Sequence, residues 1–174
     1  VPLLLFLPPF ISGSIAVDAI TEEIERGTLE LLRVAPVTLM EIVDGKALGM
    51  AVLAPLQAIL WIMLLALNGI VVRNVLWLLA LVSAAAVLVV VVGVVLGLVT
   101  ARRRQAQLLY SILVLAGFGA FVLLPEHPAT AAAKLAVGSE TSVTIGTVLV
   151  LLVGAGVIYG AMGQYVRRID PEQY

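Results

Sequence analysis

Of 174 residues, 62% are apolar and only 12% charged, with ten Lys/Arg against eleven Asp/Glu for a net charge of −1. Soluble domains run at roughly 45–50% apolar and 25% charged, so this chain has too few charges to coat a water-facing surface, and it has no basic field to draw nucleic acid. The absence of cysteine and the single histidine exclude disulfide frameworks, cysteine zinc sites and multi-histidine metal sites. These numbers describe an integral membrane protein.

A membrane-crossing helix needs roughly 20 mainly apolar residues, and five stretches qualify. The first covers residues 1–20 and is expected to be broken by Pro2, Pro8 and Pro9. It lacks a basic leading region and a small-residue cleavage site, unlike a signal peptide. The second covers 47–72 and contains Pro55, the third covers 75–100 without a charge, and the fourth and fifth cover 107–124 and 143–163. Barrel strands would alternate in polarity, whereas Val87-Leu88-Val89-Val90-Val91-Val92 does not. The expected fold is all-α and polytopic, a single transmembrane domain.

Lys and Arg counts orient such a chain. One side holds Arg26, Arg33, Lys46, Arg102, Arg103, Arg104, Arg167 and Arg168, and the other holds only Arg73 and Lys134. The rule places the 21–46 loop, the 101–106 turn and the C-terminus in the cytoplasm, with the 73–74 turn and the 125–142 loop outside. Five spans with an outer N-terminus lead to the expectation of one further span upstream.

Seven of the eleven acids lie between Asp18 and Lys46. The first helix is expected to continue past the membrane through Glu22, Glu23, Glu25 and Arg26, with Glu22 and Arg26 in the favourable acid-first i,i+4 order. Gly27 offers a break. Thr28 suits the cap of a short amphipathic helix carrying Leu29 and Leu32, with Glu30 and Arg33 on other faces. Pro36 stops that helix, and Thr38-Leu39-Met40-Glu41 has the capping-box pattern of a new one. One reading is a set of solvated interfacial helices. The other is functional, because a loop this long and this punctuated far exceeds what a connection needs.

The stretch Glu23-x-Glu25-Arg26-Gly27-Thr28-Leu29-Glu30-x-Leu32, followed by Ala35-Pro36-Val37, Glu41-Ile42 and Gly45-Lys46, resembles the loop between the second and third helices of type-2 ABC-transporter permeases. It is most similar to the sodium- and multidrug-exporter branch. Pro8-Pro9-Phe10 and Asp18 precede it as in that family, and Pro125-x-His127-Pro128-Ala129 with Lys134 and Gly138 sits in the outer loop. The resemblance implies a six-helix permease half lacking its first helix here, with the outer loop folded partly back into the membrane. It implies pairing with a second half, as a homodimer or heterodimer, and a cytoplasmic ABC ATPase subunit that carries ATP-Mg and receives the loop helix. Glu23, Glu25, Arg26, Gly27, Thr28, Leu29, Glu30, Leu32 and Pro36 would then form the ATPase-coupling element.

No nucleotide site belongs to the chain itself. Gly45-Lys46 is the one Gly-Lys pair, and Met40 and Ala47 stand where a P-loop needs Gly and Ser/Thr. HExxH and GxSxG are absent, so the chain is not read as an enzyme. His127 beside Glu126 is expected to be a turn residue rather than a metal or proton site. Gly93-x-x-x-Gly97 and Gly156-x-x-x-Gly160 permit close helix contact, and Arg102-Arg103-Arg104 suits a topology anchor. Gln57 and Asn68 are polar groups available to line a translocation path or to bond neighbouring helices. The spans carry no deep ionisable group, which disfavours a proton- or ion-coupled carrier. The leading expectation is the permease subunit of an ATP-driven exporter. The alternative is a non-transport membrane scaffold whose acidic loop binds a cytoplasmic partner.

Overall fold

The computed structural model describes residues 2–27, 38–100 and 102–169. Among them every regular element is helical: α1 Pro2–Glu25, α2 Leu39–Leu67, α3 Val75–Thr100, α4 Arg103–Ala120 with a 3₁₀ turn Phe121–Leu123, α5 Pro128–Val137 and α6 Ser142–Ile169. Five of these helices are long and apolar enough to cross a membrane.

Several boundaries differ from the sequence expectation, each for a local reason. Pro8 and Pro9 do not break α1, which is continuous from Pro2; prolines are tolerated in membrane helices when neighbouring elements support the freed backbone. Helix α2 begins at Leu39, where the capping box read at Thr38 forms as expected, eight residues ahead of the apolar span at 47. The Thr38 hydroxyl accepts from the Glu41 N–H at 3.2 Å, and the Glu41 carboxylate accepts from the Thr38 N–H at 2.8 Å. It ends at Leu67, short of Val72. The Asn68 side chain donates to the Leu64 carbonyl at 2.8 Å, and Gly69 takes φ +77°, a left-handed stop that an apolar run cannot override. Ile70–Val72 are therefore not helical. Helix α4 starts at Arg103 rather than 107, and α6 continues to Ile169 rather than 163.

α3 is the central helix and packs against all the others. Its deepest side chains are Leu78, Leu81, Val90 and Val94. The widest contact is with α1, and glycines make it close: a Cβ on Gly93 would stand 2.5 Å from the Gly13 carbonyl oxygen, and one on Gly97 would stand 2.8 Å from Ile20. This glycine pair thus serves contact inside the bundle, whereas Gly156 and Gly160 on α6 meet nothing within 4 Å.

At the end opposite the arginine clusters, the ten-residue α5 is about 15 Å long, too short to span a bilayer. It buries Ala131, Ala132, Leu135 and Ala136 against α1, α3 and α6. His127 caps it, Pro128 occupies its first turn, and Gly138 closes it at φ +74°. The turn after α2 is pinned to it: the Arg73 N–H donates to the Ala136 carbonyl at 2.9 Å, and the Asn74 amide donates to Glu140 at 2.7 Å.

Candidate coupling site

The two stems that flank the 28–37 segment, the C-terminal turn of α1 and the N-terminal turns of α2, converge at the basic end of the bundle. Glu23 on α1 meets Lys46 on α2 at 2.6 Å, with side chains only 20% and 29% exposed. That burial matters, because an exposed pair contributes about 0–1 kcal/mol whereas a shielded one is costly to break. The Tyr159 hydroxyl on α6 donates to Asp44 on α2 at 2.7 Å. Both stems are therefore tied into the bundle.

α1 is clasped to α4 along one antiparallel seam. Phe10, Ser14 and Asp18 lie four residues apart and share one helix face. The Tyr110 hydroxyl donates to the Phe10 carbonyl at 2.8 Å, and the Gln107 amide donates to the Ser14 carbonyl at 3.1 Å and to Asp18 at 2.9 Å. Arg103 donates from Nε to the same Asp18 oxygen at 2.7 Å. About two turns further along α1, the Glu25 carboxylate accepts from the Arg103 N–H at 3.2 Å.

The expected coupling residues fall into two groups. Glu23 and Glu25 take up the contacts just given. Arg26 pairs with Glu22 at 2.6 Å on an exposed face, and Gly27 ends the stem at φ +66°. Thr28, Leu29, Glu30, Leu32 and Pro36, with the short amphipathic helix expected from them, lie outside the described residues. Sequence reasoning missed Asp18, Asp44, Arg103, Gln107 and Tyr159 as parts of this joint. The four-residue spacing of polar groups on α1 was a usable signal, but their partners on α4 and α6 are set only by tertiary packing. Arg103 in particular is a clasp residue as well as part of a basic turn.

The family model described as ABC-2 family transporter protein matches residues 1–165. The chain belongs to that family. No curated protein and no solved structure matches it. An ABC-2 family member is a transmembrane component of an ABC transporter, a multi-pass membrane subunit rather than the ATPase, and its partner is an ABC ATPase.

In this ABC-2 subunit, Gln57 and Asn68 are not brought to the coupling joint. Gln57 lies mid-way along α2 on its exposed face, beside exposed Leu53, Leu56, Leu60 and Trp61. Asn68 is exposed and caps the opposite end of α2.

The opposite end carries a separate polar knot. The Glu126 side chain, 6% exposed, pairs with Lys134 of α5 at 2.7 Å and accepts from the Thr144 hydroxyl of α6 at 2.7 Å. The His127 Nδ1 accepts from the Ala129 N–H at 3.1 Å, and Nε2 lies 3.3 Å from the Phe118 carbonyl. Both ring nitrogens are thus occupied in turn-making bonds. Burial pushes the Glu126 carboxyl upward, but the Lys134 ammonium and Thr144 hydroxyl outweigh it and hold the group below its ordinary 4.5. A depressed carboxyl stabilises the fold above its unfolded value and loses that contribution as pH falls through the folded one. The apparent melting temperature is therefore expected to drop as pH is lowered from about 5 to about 3. Glu126→Gln should lower the neutral-pH value, by the equivalent of about 1–3 kcal/mol for the lost charged bonds, and flatten that acid limb. Thermal unfolding in detergent across the pH series checks both.

Proposed function

We propose that the chain is one permease half of an ATP-driven exporter of the sodium- and multidrug-exporter branch, with its basic end in the cytoplasm. Residues 23–36, carrying Glu23, Glu25, Arg26, Gly27, Thr28, Leu29, Glu30, Leu32 and Pro36, form the element that docks on the ATPase subunit. ATP-Mg resides on that partner, and a second half, identical or homologous, completes the pathway. The observation that carries this reading is the joint beneath the loop. A push on the loop is delivered through the Glu23–Lys46 pair to α1 and α2 together, through Asp18–Arg103 to α4, and through Asp44–Tyr159 to α6. A loop that merely recruited a scaffold partner would not need stems anchored to four membrane helices. The spans also lack the deep ionisable groups that an ion-coupled carrier uses.

Efflux then follows from tilting of these helices as the ATPases close on ATP. Gln57 and Asn68 contribute polar groups to the path between the two halves; the Gln57 amide, mid-way along α2, would be costly to leave facing hydrocarbon, and a second half covers that face of α2.

Arg26→Ala and Glu30→Ala test the coupling element in inside-out vesicles containing the permease with its ATPase subunit. Both variants are expected to lower ATP-dependent uptake of radiolabelled sodium, or of a cationic dye, by about tenfold, the effect of about 1.4 kcal/mol lost at the docking joint. ATP binding by the isolated ATPase should stay unchanged. Normal uptake and normal permease-stimulated hydrolysis in both variants would sink the assignment.

A further inference from the structure

Two apolar cavities of about 290 and 360 Å³ share Val92, Leu113 and Ile158 and so form one trough. Its floor is α3 and its walls are α4 and α6. It runs from Phe118 and Phe121 near the opposite end of the bundle to Leu96 and Tyr165 near the basic end. Nothing polar lines it except the hydroxyl-bearing Tyr165, at the mouth. An apolar slot of this shape at membrane depth accepts a hydrocarbon chain.

The mouth supplies the second, independent observation. Four arginines stand on the two walls where they leave the membrane: Arg102 and Arg104 at the start of α4, and Arg167 and Arg168 in the last turn of α6. All four are exposed, and among the described residues none of them forms an ion pair, unlike Arg103, which Asp18 holds. Arg168 is three residues beyond Tyr165, about 4.5 Å along the helix axis, so it stands just past the mouth of the trough. Guanidinium groups bind phosphate through paired N–H donors, and clusters of basic residues beside membrane helices attract anionic lipids.

We infer that the α4–α6 trough is a binding site for an anionic phospholipid of the leaflet at the basic end, with an acyl chain along Val92, Leu113 and Ile158 and the phosphate held by the arginines at the mouth. The charge pattern selects this occupant over a second copy of the chain, because a two-fold contact here would bring eight guanidinium groups together, none of them in an ion pair among the described residues. The bound lipid would fill the gap between α4 and α6, the two helices fastened to the coupling stems.

The full chain in lipid nanodiscs tests this with spin-labelled phosphatidylglycerol and phosphatidylcholine carrying identical chains. Wild-type protein is expected to immobilise phosphatidylglycerol in preference by about fivefold or more, the effect of one engaged arginine or more. Arg102→Gln, Arg104→Gln, Arg167→Gln and Arg168→Gln combined should abolish the preference while leaving immobilisation of both lipids. Leu113→Trp, or Ile158→Trp where the first variant folds poorly, should fill the trough and remove the selective component. Equal immobilisation of the two lipids by wild type overturns the inference. So does a selective component that survives filling, or a filled variant that changes from dimer to monomer, which would assign the trough to a second copy.

Discussion

Reversing one charge of the stem pair, Lys46→Glu, is expected to reduce permease-stimulated ATP hydrolysis by about tenfold while the membrane bundle stays folded. The substitution sets two carboxylates where an ammonium now meets Glu23 at 2.6 Å, in surroundings that leave the two side chains only 29% and 20% exposed. A partly shielded pair at this exposure is worth more than the 0.2–1 kcal/mol of a surface bridge and less than the 3–5 kcal/mol of a fully buried one. A cost of about 1–2 kcal/mol at the joint then corresponds to roughly a five- to thirtyfold loss. The repulsion splays the stems apart rather than unpacking the core, because Val43 and Ala47 beside it stay in contact with Met162 and Val166 of α6. The exchanged pair Glu23→Lys with Lys46→Glu restores opposite charges and should recover most of the stimulation. Hydrolysis by the co-reconstituted complex, set against the free ATPase subunit, gives the readout. A single reversal that leaves stimulation intact, or an exchanged pair that recovers nothing, removes the stems from the coupling path.

The spans and the start of α2 were legible in the sequence for the same reason that the ends of other helices were not. Hydropathy reports the medium, and Val75–Thr100, uncharged throughout, can only be a span; its limits agree with the structure to the residue. Thr38 and Glu41 form a local pair whose geometry is fixed by three residues of spacing, so the capping box could be read directly. The run Ile70-Val71-Val72 is as apolar as the helix before it, yet Asn68-Gly69 ends the helix there. In that conflict, local turn chemistry won over hydrophobicity. The joint itself was half legible. Clustered acids in 18–46 pointed to the loop, but Asp18–Arg103 spans 85 residues and Tyr159–Asp44 spans 115, separations at which no pattern of spacing announces a contact. The Gly93 and Gly97 motif was ambiguous for a related reason. Spacing declares a smooth face and does not say which helix will lie against it.

That ambiguity predicts a sharp contrast between two leucine substitutions. Gly93→Leu is expected to prevent recovery of a monodisperse protein, whereas Gly156→Leu should fold normally. A Cβ at Gly93 would lie 2.5 Å from the Gly13 carbonyl oxygen, 3.2 Å from the Ala16 Cβ and 3.3 Å from the Val17 Cγ2. The first of these is backbone and cannot swing away. Relief would require moving α1, yet α1 is also held by Tyr110, which lies against Gly13 itself and donates to the Phe10 carbonyl. Replacing an interior helical glycine gains at most about 1 kcal/mol of helix propensity, while overpacking a tight contact costs about 1–3 kcal/mol for small additions. A leucine adds four carbons to a space with no room for the first, so the steric cost wins. At Gly156 nothing lies within 4 Å, and the same side chain enters open space with only the propensity gain. Fluorescence-detected size-exclusion chromatography separates the outcomes. Should Gly156→Leu fold but shift the elution volume, the α6 glycines lie against a second permease half. If both variants fold equally well, α1 and α3 are not packed through Gly13 and Gly93.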